Sequence, residues 1–258
     1  MALENSLRTA MRQEELVLLY QPQVEISTGR IFAVEALVYW QRSAGELTGP
    51  SEFIPMAEES GLIVRLGAWV LRAACEQMMA WRKAGFDGLR LSVNLSGRQF
   101  QQPDLVNLVE STLEETGLPA GCLELEITES VAMENVAHVL DVIGRLKALG
   151  VGMTMDDFGV GYSSLENLKR FPLDTLKIDR AFVRDMTSDS RDEAVVRAAI
   201  ALARGMGLKV VAEGVETEAQ RASLERLGCD GMQGFLFSRP VTAARFAQLL
   251  RAGVKNTL

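Results

Sequence analysis

The sequence holds a single histidine, His138, in 258 residues, and only three cysteines, Cys75, Cys122 and Cys229, none in a CxxC spacing. A Ser-His-Asp triad and the usual zinc peptidase sites are poor explanations for a chain with one imidazole. An odd number of thiols without paired spacing argues against a disulfide framework or a structural zinc site and fits a reducing, cytoplasmic setting. Basic residues are in deficit too, 27 Lys and Arg against 34 Asp and Glu, for a formal charge of −7. That balance argues against a surface built to neutralise duplex nucleic acid. No apolar stretch approaches the roughly 18 residues of a membrane span, and the first fifteen residues carry Glu and Arg rather than a signal-peptide core. His138 itself lies beside the apolar stripe Val136, Val139, Leu140, Ile143 and Leu146 and reads as a solvated helix residue.

What is present is regular alternation. Hydrophobic residues make up 48% of the chain, enough for one large core. Eight β-rich runs, 16–26, 31–40, 89–96, 122–128, 151–158, 174–179, 208–215 and 230–237, are separated by helical patterns. One such pattern, PDLVNLVESTLEETG, lines up Leu105, Leu108, Val109 and Leu113 and ends at Gly117; others span 62–84, 130–149, 190–206, 217–227 and 241–252. Thr217 and Gln220 have capping-box spacing. Strand-helix alternation with eight strands predicts an α/β fold over 1–258, a single domain closed as a modified TIM (β/α)8 barrel. The first connection, STGR at 27–30, is too short for a crossover, so strand one should run antiparallel to strand two.

Polar residues collect near the C-terminal ends of these runs: Glu35, Asn94, Glu126, Asp156 with Asp157, Lys177, Glu213 and Gln233. That rim is where barrel enzymes build their sites. Each residue alone has a structural explanation; Asp157 or Asp179, for instance, would cap the following turn. Seven strands aimed at one mouth are another matter. The segment AVEALVYW sharpens the point, because Glu35 sits among small and apolar residues where an unpaired carboxylate is costly. Two lookalikes fall away. GVGYSS lacks the third glycine of a dinucleotide-binding loop, and DFG at 157–159 has no kinase catalytic loop after it.

Five carboxylates converging without His or Cys would repel one another unless cations held them together. Oxygen-only ligation selects hard divalent ions, Mg²⁺ or Mn²⁺. Adjacent Asp156 and Asp157 suit a pair of such ions, the usual device for hydrolysing a phosphodiester, with Lys177 placed to orient water or offset developing charge.

The ordered motifs EAL (35–37), VNLSGRQF (93–100), LEITES (125–130), DDFGVGYSSL (156–165), LKID (176–179), AEGVET (212–217) and QGFLFSRP (233–240) resemble those of the EAL-domain family of cyclic di-GMP phosphodiesterases. The likeness runs from about Leu7 to Leu250. It implies a TIM-like barrel with a reversed first strand, two divalent cations, and hydrolysis of cyclic di-GMP to linear pGpG. By the same resemblance, Glu35, Asn94, Glu126 and Asp156 would bind one metal, and Asp156, Asp157 and Glu213 the other. Glu35, Lys177 and Glu213 would carry the chemistry, Lys177 and Gln233 holding water, with Glu213 as an alternative base. Gln21, Leu37, Tyr39, Glu216 and Gln233 would lie at the substrate. Glu129 would brace the loop after Asp157, and a homodimer would form through the region near 157–166.

The match departs from the family at Tyr39, where the family has an arginine on a substrate phosphate, and at Val160, commonly Thr. Tyr39 implies weaker substrate binding. It also supports the alternative of a cyclic di-GMP receptor that has lost turnover; a protein-interaction module is a further alternative. Glu124 shares the parity of Glu126 one layer deeper and should pair inside the barrel with Arg90 or Lys209.

Overall fold

The computed structural model describes residues 2–13, 15–42, 46–161 and 165–252. Its strands are β1 (Leu16–Glu25), β2 (Ile31–Gln41), β3 (Leu47–Thr48), β4 (Arg90–Asn94), β5 (Leu123–Thr128), β6 (Gly152–Phe158), β7 (Thr175–Ile178), β8 (Lys209–Ala212) and β9 (Gly231–Met232). The sheet runs β1-β9-β8-β7-β6-β5-β4-β2, and pairing of β1 with β2 closes it, leaving β3 as a short addition on β2. Strand β1 is antiparallel to both neighbours, β2 and β9. Pairing is parallel from β2 through β4 and on round to β9. The barrel and its reversed first strand therefore match the expectation from STGR.

Alternation along the strands sorts the chemistry. Leu91, Val93, Leu125, Ile127, Met153, Met155, Leu176 and Ile178 are at most 1% exposed and belong to the apolar core. Burying each such side chain stabilises the fold by about 1.5–3 kcal/mol. The alternate residues, Ser92, Glu124, Glu126, Thr154, Asp156, Thr175 and Lys177, fall by the same two-residue period on the inner wall. One apolar periodicity thus presents a polar interior.

Several elements differ from the sequence reading. Helices Ala2–Ala10 and Pro50–Ser60 were not expected; the second begins with Pro50 at its first turn and also contains Pro55. The helix expected over 130–149 is two, Glu129–Glu134 and Val136–Ala148. Asn135 breaks it at φ −146°, and its side chain accepts from His138 N to cap the second helix. His138 is half-buried rather than solvated, its Nε2 being 3.2 Å from the Phe100 carbonyl. The run 230–237 gives only a two-residue strand, because Gly234 turns tightly against Val215; a Cβ there would lie 2.1 Å from the Val215 carbonyl. The Thr217–Gln220 capping box is present as expected, and Ser96 with Gln99 forms a second.

Candidate active site

Lys177, inward on β7, is the centre of the site. Its Nζ lies 2.6 Å from Glu213 Oε1, 2.8 Å from Glu126 Oε2, 3.4 Å from Glu35 Oε2 and 3.6 Å from Asp156 Oδ2. These acids come from four different strands or the residues that follow them, since Glu213 immediately succeeds β8. Glu35 is held from two further directions. Asn94 Nδ2 and Gln233 Nε2 each donate to it at 2.6 Å. Gln233 Nε2 also donates to Gln21 Oε1 at 3.0 Å, and Gln21 Nε2 in turn donates to the Ser238 carbonyl at 3.1 Å.

Asp157 departs from strand alternation. Regular pleating would send it outward, yet it has φ 54° and lies where the β6–β7 register shifts between Met155 and Phe158. Such an irregularity re-aims a side chain, and Asp tolerates the left-handed region better than most residues. As a result Asp156, Asp157 and Glu213 offer carboxylate oxygens within 4.8 Å of one another, a group able to hold a metal ion. Asp179 is the residue that the sequence reading missed here. It caps the next helix through Ala181 N, as expected, but it also stands beside Asp157 and raises its pKa.

The charge balance is lopsided, five carboxylates around one ammonium. Burial and Lys177 act oppositely on Glu35, and Lys177 together with the Gln233 and Asn94 hydrogen bonds holds it below the usual carboxylate range. Burial dominates at Glu126, pushing it well above that range, and at Asp156, with the neighbouring Glu35 charge adding to both. Burial, then Asp156 and Asp179, raises Asp157 to about 6. Burial, then Asp156 and Glu35, raises Glu213 to about 8 against the pull of Lys177. Lys177 is raised well above its ordinary value, its four acids outweighing burial. Protons therefore do the work of missing positive charge in this set.

A divalent metal fits these residues on two counts. Once all five carboxylates are ionised, four negative charges are left over after Lys177, and two doubly charged ions replacing the protons would balance them. Glu126 Oε1 is also buried with no partner among the described residues, a donor-seeking oxygen pointing to a cation.

The remaining sequence-identified residues surround this ring. Leu37 and Tyr39 share the inward parity of Glu35 along β2, and both are half-buried. Leu37 and Asn94 also line an apolar cavity of about 360 Å³ beside the mouth, with Pro50, Ile54 and Pro55 on its far wall. Glu216 is exposed, outside the buried ring, and its backbone N–H donates to Gln220 Oε1 at 2.8 Å. Glu129, 1% exposed, accepts from Gly159 N at 2.8 Å. Below the ring, Glu124 pairs with Arg90 at 3.4 Å and accepts from the Thr154 hydroxyl.

Residues 4–240 match the profile of the EAL domain. The chain belongs to the EAL domain family. Among its relatives, the bifunctional diguanylate cyclase/cyclic di-GMP phosphodiesterase MucR of Pseudomonas aeruginosa is 47% identical over 93% of this chain and 35% of its own length. Cyclic di-GMP phosphodiesterase NbdA of the same organism is 44% identical over 97% of this chain and 32% of its own length. This EAL domain thus spans about a third of the length of such relatives. The structure of the PaMucR phosphodiesterase in complex with c-di-GMP superposes with a TM-score of 0.93 at 46% identity, covering 95% of this chain and all of that one. Among the described residues of the EAL domain, no helix is long and apolar enough to cross a membrane.

Proposed function

We propose that this chain is a phosphodiesterase that hydrolyses cyclic di-GMP to linear pGpG with two divalent cations, Mg²⁺ or Mn²⁺. The observation that carries the reading is the ring of Glu35, Glu126, Asp156 and Glu213 around Lys177 at one rim of the barrel, with Asp157 turned to join it. The likeness to MucR, NbdA and the c-di-GMP complex of PaMucR supports the substrate. Glu35, Asn94, Glu126 and Asp156 would hold one cation, and Asp156, Asp157 and Glu213 the other. Bound there, such a pair supplies an acidified water and counter-charge for phosphoryl oxygens.

Hydrolysis adds water across one phosphodiester: a P–O bond to the water oxygen forms, the bond to the ribose 3′ oxygen breaks, and that oxygen takes up a proton. Lys177 would orient the water and offset charge developing on phosphorus oxygens. Gln233, anchored on Gln21 and Glu35, would fix the hydrogen-bond network around it. Leu37, Tyr39, Gln21 and Glu216 would border the substrate. Incubation with cyclic di-GMP and Mg²⁺ or Mn²⁺, followed by chromatography, tests the proposal; pGpG is the expected product, and unchanged nucleotide would overturn it.

Tyr39 favours a second reading. The side chain stands on the Glu35 face where the family has an arginine, and a neutral phenol cannot replace a charged fork to phosphate. A receptor that binds cyclic di-GMP without turnover would show a saturable titration and no pGpG in the same assay. We further propose a cytoplasmic homodimer through the region near 157–166, supported by Val160 and Leu165, which are 63% and 59% exposed. Residues 162–164 of that region lie outside the described residues. Light scattering at micromolar protein gives the dimer mass if this is right.

A further inference from the structure

The inner wall of the barrel below the Lys177 ring is polar where a βα barrel is ordinarily packed with branched apolar side chains. At this N-terminal end a cavity of about 660 Å³ opens, lined among others by Gln23, Arg90, Glu124, Thr175 and Lys209. Gln23 and Thr175 are 3% and 4% exposed, and Gln23 Nε2 and Thr175 Oγ1 have no partner among the described residues. Leaving a buried polar atom unbonded costs roughly 1–3 kcal/mol. Two such atoms on one cavity wall indicate a surface shaped for something that bonds them.

The chemistry of that partner follows from which lining groups are already satisfied. The acids are engaged: Glu25 with Arg30 and Thr28, Glu124 with Arg90 and Thr154, Glu225 with Arg221, and Asp230 with the Val210 N–H. The donors are not. Lys209, beside Thr175 in the β7–β8 register, makes no salt bridge within 4 Å among the described residues, its charge acting on Glu25 only at longer range. Arg90 meets Glu124 only at 3.4 Å and lies over the Phe32 ring, keeping N–H groups to spare. Four acids and four basic residues line the cavity among the described residues, so the excess is one of unfilled donors, Gln23 Nε2, Thr175 Oγ1 and Lys209, which call for an acceptor rich in lone pairs.

We infer that this cavity is a second ligand site, at the opposite end of the barrel from the carboxylate ring, and that it binds the phosphoryl group of a small molecule through Gln23, Thr175, Lys209 and Arg90. The site stands independently of the activity proposed above. Its residues share strands with that ring, since β7 carries both Thr175 and Lys177 and β1 both Gln23 and Gln21. An anion here would tie β1, β7 and β8 together from below.

Calorimetric titration of the whole chain, in EDTA at fixed ionic strength, with inorganic phosphate and with ribose 5-phosphate tests the site. The expected result is saturable binding that Thr175→Val and Lys209→Met each weaken by about tenfold, while Glu213→Gln at the other rim leaves it unchanged. Tighter binding of ribose 5-phosphate than of phosphate assigns the site to a phosphomonoester, and equal affinity to the free ion. Lys209 is exposed at the cavity rim, so Lys209→Met reports even where Thr175→Val fails to fold. No saturable binding of either probe, or binding that survives Lys209→Met and is lost in Glu213→Gln, overturns the inference.

Discussion

Lys177 Nζ lies 2.8 Å from Glu126 Oε2 with both side chains 1% exposed, so an ammonium and a carboxylate face each other out of water inside a closed sheet. Such a pair is not in itself a source of net stability, but removing one partner strands the other. Lys177→Met should therefore destabilise the cation-free protein by about 3–5 kcal/mol and abolish turnover. Urea melts in EDTA and in Mn²⁺ check this. The ions should recover part of the loss, and a variant as stable as wild type in EDTA would refute the pairing.

The raised pKa values give the stability a pH dependence of definite sign. Glu213 titrates near 4.5 when unfolded and about 8 when folded, and Asp157 near 3.8 and about 6. Between those limits the folded state holds more protons than the unfolded one, so stability falls as pH rises. The contribution is intact below the unfolded values and gone above the folded ones. The cation-free protein should lose Tm between about pH 4 and 8, and the Tm gain on adding Mg²⁺ or Mn²⁺ should grow over the same window. A metal-induced shift of Tm that is the same at pH 5.5 and 8 would contradict the assignment.

Glu35 gathers donors from Asn94 and Gln233 as well as Lys177. Glu35→Ala removes a proposed metal ligand and leaves those donors facing a hole, costing roughly 1–3 kcal/mol in stability. The barrel should survive that loss while metal-dependent hydrolysis falls by about 100-fold or more. Circular dichroism and the nucleotide assay separate the two effects; retained turnover would remove Glu35 from the ligand set.

Much of this arrangement was legible because two periodicities coexist. Apolar residues such as Leu125, Ile127, Met153 and Met155 mark the strands, and the residues between them carry the charges to one wall. Glu124 and Arg90 could be paired from parity alone, and the structure chose Arg90 over Lys209. Local backbone devices were harder to read. Pro50 and Pro55 disguised a helix, Asn135 divided another, and Gly234 ended β9 early because the chain folds back on Val215. Asp179 looked like a cap and is one, but its second contact with Asp157 depends on a positive φ that pattern does not reveal.

Tyr39 is the residue on which catalytic efficiency should turn. Exchanging a neutral hydrogen bond for a charged fork to phosphate is worth about 1.5–3 kcal/mol, so Tyr39→Arg should lower KM by about tenfold or more with kcat little changed. Burial and the nearby Glu35 charge already raise the Tyr39 hydroxyl above its ordinary pKa, which keeps it neutral at working pH. Michaelis curves for both proteins decide the matter. An unchanged KM would mean that another side chain holds the phosphate.

Glu129 should control the loop that carries the chain on from Asp157. Its Oε2 accepts from Gly159 N, and its Oε1 would lie 2.7 Å from a Cβ placed on Gly161, so the carboxylate fills the space beneath that loop. Glu129→Ala should unseat the loop and lower kcat by about 10–100-fold, the size expected when a group supporting metal ligands is lost. Glu129→Gln keeps an acceptor of the same shape and should restore most of the rate. Gly161→Ala drives a methyl into the same carboxylate and should mimic Glu129→Ala. A merely structural role would lower Tm in all three variants without separating Gln from Ala in kcat, and wild-type kcat in Glu129→Ala would leave the loop positioned by something else.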